Sequence, residues 1–334
     1  MGQNATDTGR ALSDFSRHSE TRGQRLSEPG RSLAKDLRWA KGAQTLYYRV
    51  GGLQLGAWEF ESYLALSSFL KLSENVPPPD WSEVPAGCEA IVFPGVPVSS
   101  DLPRMTLKDG YIRYVPRYED RSFIRIEGSY EDYLKRFSAK SRNTLRRHLR
   151  RYSDAVGGEI DWRFFTTTDE MDQFRDLAIR ISRRSHLHAS GHGLPETAEF
   201  QRELRSEAEK GRACGYILFF KDRPAAYAYC KLDSSTLLYS AAGFDAELGE
   251  HSPGRILLLL ILQHLFEKGS VEFFDFGGQE YSYKSFFGTD TVRCARVLFL
   301  PVTIRNGALV LLHMLTEGAW RMLSSLKQVL KRSR

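Results

Sequence analysis

Between residues 213 and 244 three apolar runs follow one another with little polar sequence between them. Residues 215–220, 225–231 and 236–242 read as strands, separated by Lys221-Asp222-Arg223-Pro224 and Leu232-Asp233-Ser234-Ser235. Connections this short join antiparallel neighbours, so two hairpins are expected. Residues 255–268 then form a helix in which 256–262 are apolar on nearly every side, the mark of a helix buried all round. Gly269 closes it, and residues 271–276 return as a strand, so strand, helix and strand make a parallel crossover. A short helix at 283–287 and a strand at 292–300 complete this half.

Upstream, the spacing predicts a helix from Tyr130 in which Tyr133, Phe137, Leu145, Leu149 and Tyr152 share one stripe, ended by Gly157-Gly158. A strand at 160–165 follows, then a helix over 169–184 capped by Thr168 or Asp169, and another with Pro195 in its first turn that runs to Lys210. Residues 45–50 and 53–58 read as strands and 59–72 as a helix. The Pro77-Pro78-Pro79 loop comes next, then strands at 89–93, 111–115 and 123–126. Residues 1–34 have no apolar period and read as a disordered lead. Residues 308–330 form an amphipathic helix through Leu311, Leu312, Leu315, Trp320, Leu323 and Leu326. It is expected to pack on the protein or to lie on an anionic membrane surface.

Composition narrows the class. With 334 residues, 42% of them hydrophobic, the chain can bury a large core in one or two domains. No run of eighteen apolar residues occurs, and the start of the chain has no apolar stretch of the signal-peptide kind, so a cytoplasmic protein is expected. The four cysteines are isolated and read as reduced and buried. His186, His188 and His192 have no acid or cysteine near them in sequence to complete a metal site, so no metal is expected.

The net charge of +6 is local: residues 134–151 carry eight Lys/Arg and no acid, and the last fourteen residues carry five and no acid. A protein coated in cations for DNA is thereby excluded. Arg142, Arg146 and Arg150 recur every fourth residue. They form either a solvated helix face or an electropositive wall for an anionic acceptor, since the guanidinium fork matches phosphate oxygens.

Ser252-Pro253-Gly254-Arg255 opens the apolar helix directly after a strand and loop. Unpaired amides and the positive end of the helix dipole would face a phosphate there, although Ser-Pro-Gly is also an ordinary helix start. Beside the crossover, an antiparallel strand and a parallel one can splay and leave backbone groups free for an extended amide such as pantetheine.

This element order resembles the GNAT acyltransferase superfamily. Gly243-Phe244-Asp245, Ser252-Pro253-Gly254 with Ile256-Leu257-Leu258, Asp275-Phe276-Gly277 and Tyr283-Lys284 together resemble one branch of it. That branch holds the cellulose-biosynthesis-associated acetyltransferase-like proteins and is related to Fem-type peptidoglycan aminoacyltransferases. The segment 138–147 is similar to the basic helix those proteins carry before the GNAT domain. The loop here has Pro-Gly once where many relatives present several glycines, and Gly278 lies one residue earlier than the usual glycine.

The resemblance implies an α/β (α+β) GNAT fold, with a mixed, mostly antiparallel sheet, one parallel β-α-β crossover and two GNAT-like halves. The implied divisions are a lead (1–34), a degenerate N-terminal half (35–128), a basic connecting helix (129–156), a C-terminal acyltransferase domain (157–303) and the amphipathic helix (304–334). It implies transfer from acetyl-CoA or another acyl-CoA to an amine of a small or envelope- or polysaccharide-related acceptor. Ser252, Gly254 and Arg255 would hold the pyrophosphate, and the strand at Tyr239 and Ala241 would polarise the thioester carbonyl. Tyr283 would act as acid or base, with Asp275 and Glu280 as candidate bases. Lys284, Arg142 and Arg146 would face the acceptor. Two alternatives remain open: an aminoacyl-tRNA-dependent transferase, and a non-catalytic polyanion-binding module on the same scaffold.

Overall fold

The computed structural model describes residues 37–50, 53–108, 110–189, 193–278 and 281–332. The expected lead at 1–34, His192 and Glu280 lie outside the described residues. The elements run β1 (Trp39–Val50), β2 (Leu53–Ala65), β3 (Ala90–Pro97), β4 (Met105–Lys108), β5 (Tyr111–Tyr114) and β6 (Tyr118–Arg125). Helices α1 (Tyr130–Lys135) and α2 (Ala139–Val156), strand β7 (Trp162–Phe165), and helices α3 (Thr168–Ser182), α4 (His186–Ala189) and α5 (Ala198–Glu209) follow. Then come β8 (Ala213–Phe220), β9 (Arg223–Asp233), β10 (Thr236–Phe244), α6 (Pro253–Lys268), β11 (Phe273–Asp275), α7 (Ser282–Phe287), β12 (Asp290–Pro301) and α8 (Ile304–Arg332).

The chain divides into two compact units. One holds Ser122–Gly277 with Phe286–Asp290; the other holds the described part of Leu26–Arg121 with Gly278–Ser285 and Thr291–Arg334. In the first, strand order is β6-β11-β10-β9-β8-β7. The expected hairpins β8/β9 and β9/β10 are antiparallel and β10/β11 is parallel across α6, so the mixed sheet with its crossover forms as the sequence implies. Tyr216 and Leu218 of β8 face a core with α6, α1 and α2, while Ile217 and Phe219 face α3 and α5. Burial on both faces explains why these strands read as unbroken apolar runs. Gly215 is required here: a Cβ would lie 2.3 Å from the Phe174 ring of α3.

Several local expectations are corrected. Residues 59–72 are not a helix. Strand β2 runs to Ala65, because Trp58, Phe60 and Ser62 alternate inward and pair along β1, and only a 3-10 turn at Phe69–Lys71 follows. The basic helix is not continuous from Tyr130: Ser138 leaves helical geometry and its hydroxyl accepts from Ser141 N, starting α2 afresh. Helix α3 is capped by Thr167 in a reciprocal capping box with Glu170, not by Thr168 or Asp169. Helix α5 starts after the Thr197 cap, so Pro195 precedes the helix.

The second unit orders its strands β1-β2-β3-β12-β5-β4, with a parallel β2/β3 pair that the sequence pattern did not announce. Helix α8 packs on β1 and β5: its buried His313 ring lies 5.8 Å from Tyr48, and Nδ1 meets the Tyr114 hydroxyl at 2.5 Å. Among the described residues no helix is long and apolar enough to cross a membrane.

Candidate functional site

The β10/β11 ladder is short. It joins Thr236 to Phe273, Leu237 to Phe274 and Leu238 to Asp275, and stops there. Strand β10 continues to Phe244 along β9 with a bulge at Ser240, between Tyr239 and Ala241. A bulge adds twist and turns the strand away from its former neighbour. Burial changes at the same place: Thr236 and Leu237 are buried, Tyr239, Ala241 and Ala242 half-buried, and Ser240 exposed. After Asp275 the chain turns at Gly277 (φ +72), where a Cβ would lie 3.7 Å from the Tyr239 carbonyl oxygen. Strand β10 therefore runs on past the end of the β10/β11 ladder while still paired with β9.

At the end of β10 the chain enters a 3-10 turn (Ala246–His251) and then α6. Most of the amides expected to be unpaired at this helix start are engaged. Ser252 N bonds the Gly249 carbonyl, Pro253 has no N–H, and Arg255 and Ile256 N both bond the Ser252 carbonyl. That leaves Gly254 N as the amide of this first turn with no protein partner among the described residues. Ser252 adopts the left-handed region (φ +52), and its side chain makes no capping bond. Gly254 is half-buried under Phe244, whose Cδ1 would lie 3.2 Å from a Cβ.

What the loop lacks in amides it has in charge. Arg255 is exposed on the first turn of α6, close enough to His148 of α2 to act on it electrostatically. Burial first, then the guanidinium groups of Arg255, Arg147 and Arg151, hold the His148 imidazole below its usual value. Lys140, Arg146, Arg147, Arg150 and Arg151 have no acidic partner among the described residues, and all are exposed. The cations of α2 thus converge on the positive end of α6.

Asp245 fixes this loop, a role the sequence reading missed. Its carboxylate is fully buried, accepting from Glu247 N at 3.1 Å, Arg184 at 3.4 Å and the Arg223 Nε at 3.0 Å. An aspartate at the end of a strand, two residues before a backbone donor, is the turn signal that could have revealed it.

The remaining candidates are placed as follows. Arg142 is half-buried and donates to the carbonyls of Lys135 (3.1 Å) and Phe137 (2.5 Å), capping α1, whereas Arg146 is exposed. Asp275 is buried and accepts from Gly277 N at 2.8 Å, shaping the turn after β11. Tyr283 and Lys284 lie on α7 in the segment that belongs to the second unit. Lys284 is buried, donates to the Gly278 carbonyl at 2.6 Å and lies 5.4 Å over the Tyr281 ring. Tyr283 stacks on Tyr281 at 6.0 Å, and burial together with that neighbour pushes its phenol up to about 12. Among the described residues no cluster of three or more His, Cys, Asp or Glu is arranged to hold a metal.

Residues 139–285 match the family model of the acetyltransferase (GNAT) domain. Similar solved structures include the C-terminal domain (DUF2156) of a protein from Agrobacterium fabrum assigned as a lysylphosphatidylglycerol synthetase, at 15% identity and a TM-score of 0.46, covering 93% of this chain and 96% of that one. FemX is similar at 11% identity and a TM-score of 0.46, covering 86% and 96%. A tandem GNAT protein from the clavulanic acid biosynthesis pathway is similar at 12% identity and a TM-score of 0.38, covering 91% and 98%. A search of curated proteins finds no match.

Proposed function

We propose that the GNAT domain of this chain transfers an acyl group from acyl-CoA to an amine. The observation that carries the reading is the end of the β10/β11 ladder at Leu238, followed by a bulge and an edge that runs on to the N-terminus of α6. An extended thioester with an amide-bearing arm suits such a place, because its amides can lie along a strand as an added strand does. The thioester carbonyl would accept from the β10 backbone near Tyr239 and Ala241. The diphosphate would sit on Gly254 N at the dipole end beside Ser252, with Arg255 supplying charge.

The chemistry follows from these parts. The neutral amine attacks the thioester carbonyl carbon, and the oxyanion that forms is stabilised by backbone N–H donors on β10. The amine proton passes to a carboxylate, for which Asp275 and Glu280 are the candidates. Collapse breaks the carbon–sulfur bond, and the departing thiolate takes a proton from Tyr283. A phenol held near 12 is protonated at neutral pH, which suits it to donate rather than to accept. The acceptor is read as a small or envelope-related amine, with Arg146 and Lys284 as candidate contacts.

Titration calorimetry of acetyl-CoA tests this. Gly254→Asp places a carboxylate at the proposed phosphate position, and Gly254→Ala is the control, since both meet the same Phe244 ring. Aspartate should weaken binding by more than about tenfold relative to alanine, roughly 1.4 kcal/mol. Equal affinity in two folded variants would end the assignment.

A second reading is favoured by the exposed cations of α2 beside Arg255, which suit a larger polyanionic donor such as a charged tRNA. Thermal stabilisation by aminoacyl-tRNA and none by acetyl-CoA would select it.

A further inference from the structure

Helix α8 buries one face against the protein and carries an apolar row on the opposite, exposed side. Asn306, Val310, His313 and Thr316 are buried against the second unit, with His313 held by Tyr114 and stacked edge-on to Tyr48. At 100° per residue these positions share one side of the helix. Ile304, Ala308, Leu311, Leu312 and Leu315 fall on the opposite side, and all five are exposed: Leu311 at 52%, Leu315 at 70% and Ile304 at 94%. An outward row of leucines is not needed to hold the helix in place. Contiguous exposed apolar surface of this kind marks a contact with something else.

Charge selects what that is. The sequence continues the apolar three- and four-residue steps of the outer row through Met322, Leu326 and Leu330, and within the last fourteen residues it adds Arg321, Lys327, Lys331, Arg332 and Arg334 with no acid. A protein partner of apolar character would call for leucines but not for uncompensated cations. A helix that lies in the plane of an anionic bilayer calls for both: apolar side chains enter the acyl boundary and cations meet the headgroups. We infer that the outer face of α8 docks this protein on anionic lipid, with the inner face fastening the helix to the fold. This inference does not depend on the acyl-transfer reading, because it rests on a different unit and its readout is binding alone.

The test is co-sedimentation of the full chain with vesicles of phosphatidylcholine and with vesicles that also contain phosphatidylglycerol. The wild type should bind the mixed vesicles, bind neutral ones weakly, and lose affinity as salt rises. Leu311→Glu/Leu315→Glu should lower partitioning at least tenfold while circular dichroism and thermal melting stay near wild type, because neither side chain is packed on the protein. Lys327→Gln/Lys331→Gln/Arg332→Gln should lower binding to mixed vesicles by about fivefold for each cation removed and leave the weak neutral binding unchanged. The inference is overturned by any of four results: no vesicle binding, equal binding to both vesicle types, wild-type binding by the leucine variant, or a dimer in solution that the leucine variant converts to monomer.

Discussion

His264 should make the first unit acid-labile by an amount that can be worked out. It sits on the buried side of α6, 5% exposed, with its ring 5.4 Å from Trp162, 5.1 Å from Phe164 and 6.0 Å from Tyr216. Its Nε2 is buried with no hydrogen-bond partner. Burial, and secondarily Lys268, push the imidazole down from 6.5 to about 4. Between those values the unfolded chain binds a proton that the native state refuses, so stability falls as pH drops through that window. A gap of this size corresponds to a loss of about 2 kcal/mol by pH 5 and about 3 kcal/mol once the pH is below the folded value. The perturbation is His264→Phe, which keeps a ring in the aromatic box and removes the titration. Urea midpoints of both proteins, measured from pH 7.5 to 4, give the difference directly, because every other titrating group is common to both and cancels. The wild type should lose the stated amounts relative to the variant. Parallel pH profiles would refute the claim that His264 is buried and neutral.

Three further outcomes follow from the geometry. Gly215→Ala would push a methyl into the fully buried Phe174 ring and should cost about 1–3 kcal/mol in chemical denaturation, with a wild-type m-value. Asp245→Asn would keep the shape of the buried carboxylate but remove its charge from Arg184 and Arg223; a loss of about 2 kcal/mol in stability is expected, with weaker acetyl-CoA binding because the loop into α6 loosens. Under the proposed mechanism Tyr283→Phe should lower kcat about a hundredfold or more while acetyl-CoA affinity in calorimetry is unchanged; an unchanged kcat would remove the phenol from the proton pathway.

Patterning alone carried the core of the first unit. The three apolar runs of β8–β10 and the all-round apolar α6 admit one arrangement, a sheet covered on both faces with a helix pressed into it, and Gly157 and Gly269 end α2 and α6 in left-handed caps where expected. Those features are local or set by burial, so they are visible one residue at a time. The region 59–72 was not, because Tyr63, Leu64, Leu66, Phe69 and Leu70 satisfy a helical period, and only pairing with β1 shows that the chain stays extended to Ala65. The break at Ser138 was also hidden, since the apolar stripe runs straight across it.

The candidate site shows the same division. The sequence marked Gly254 and Arg255 as the start of a helix that could meet phosphate, and it marked α2 as a row of cations with no partners. Only the folded chain brings His148 to Arg255, ends the β10/β11 ladder at Leu238, and engages amides that the sequence left open. Helical period, turn chemistry and apolar content are properties of neighbours along the chain. Which amide stays unpaired, and which charge lies beside which, depends on residues a hundred positions apart meeting in space, and that information exists only in the packed structure.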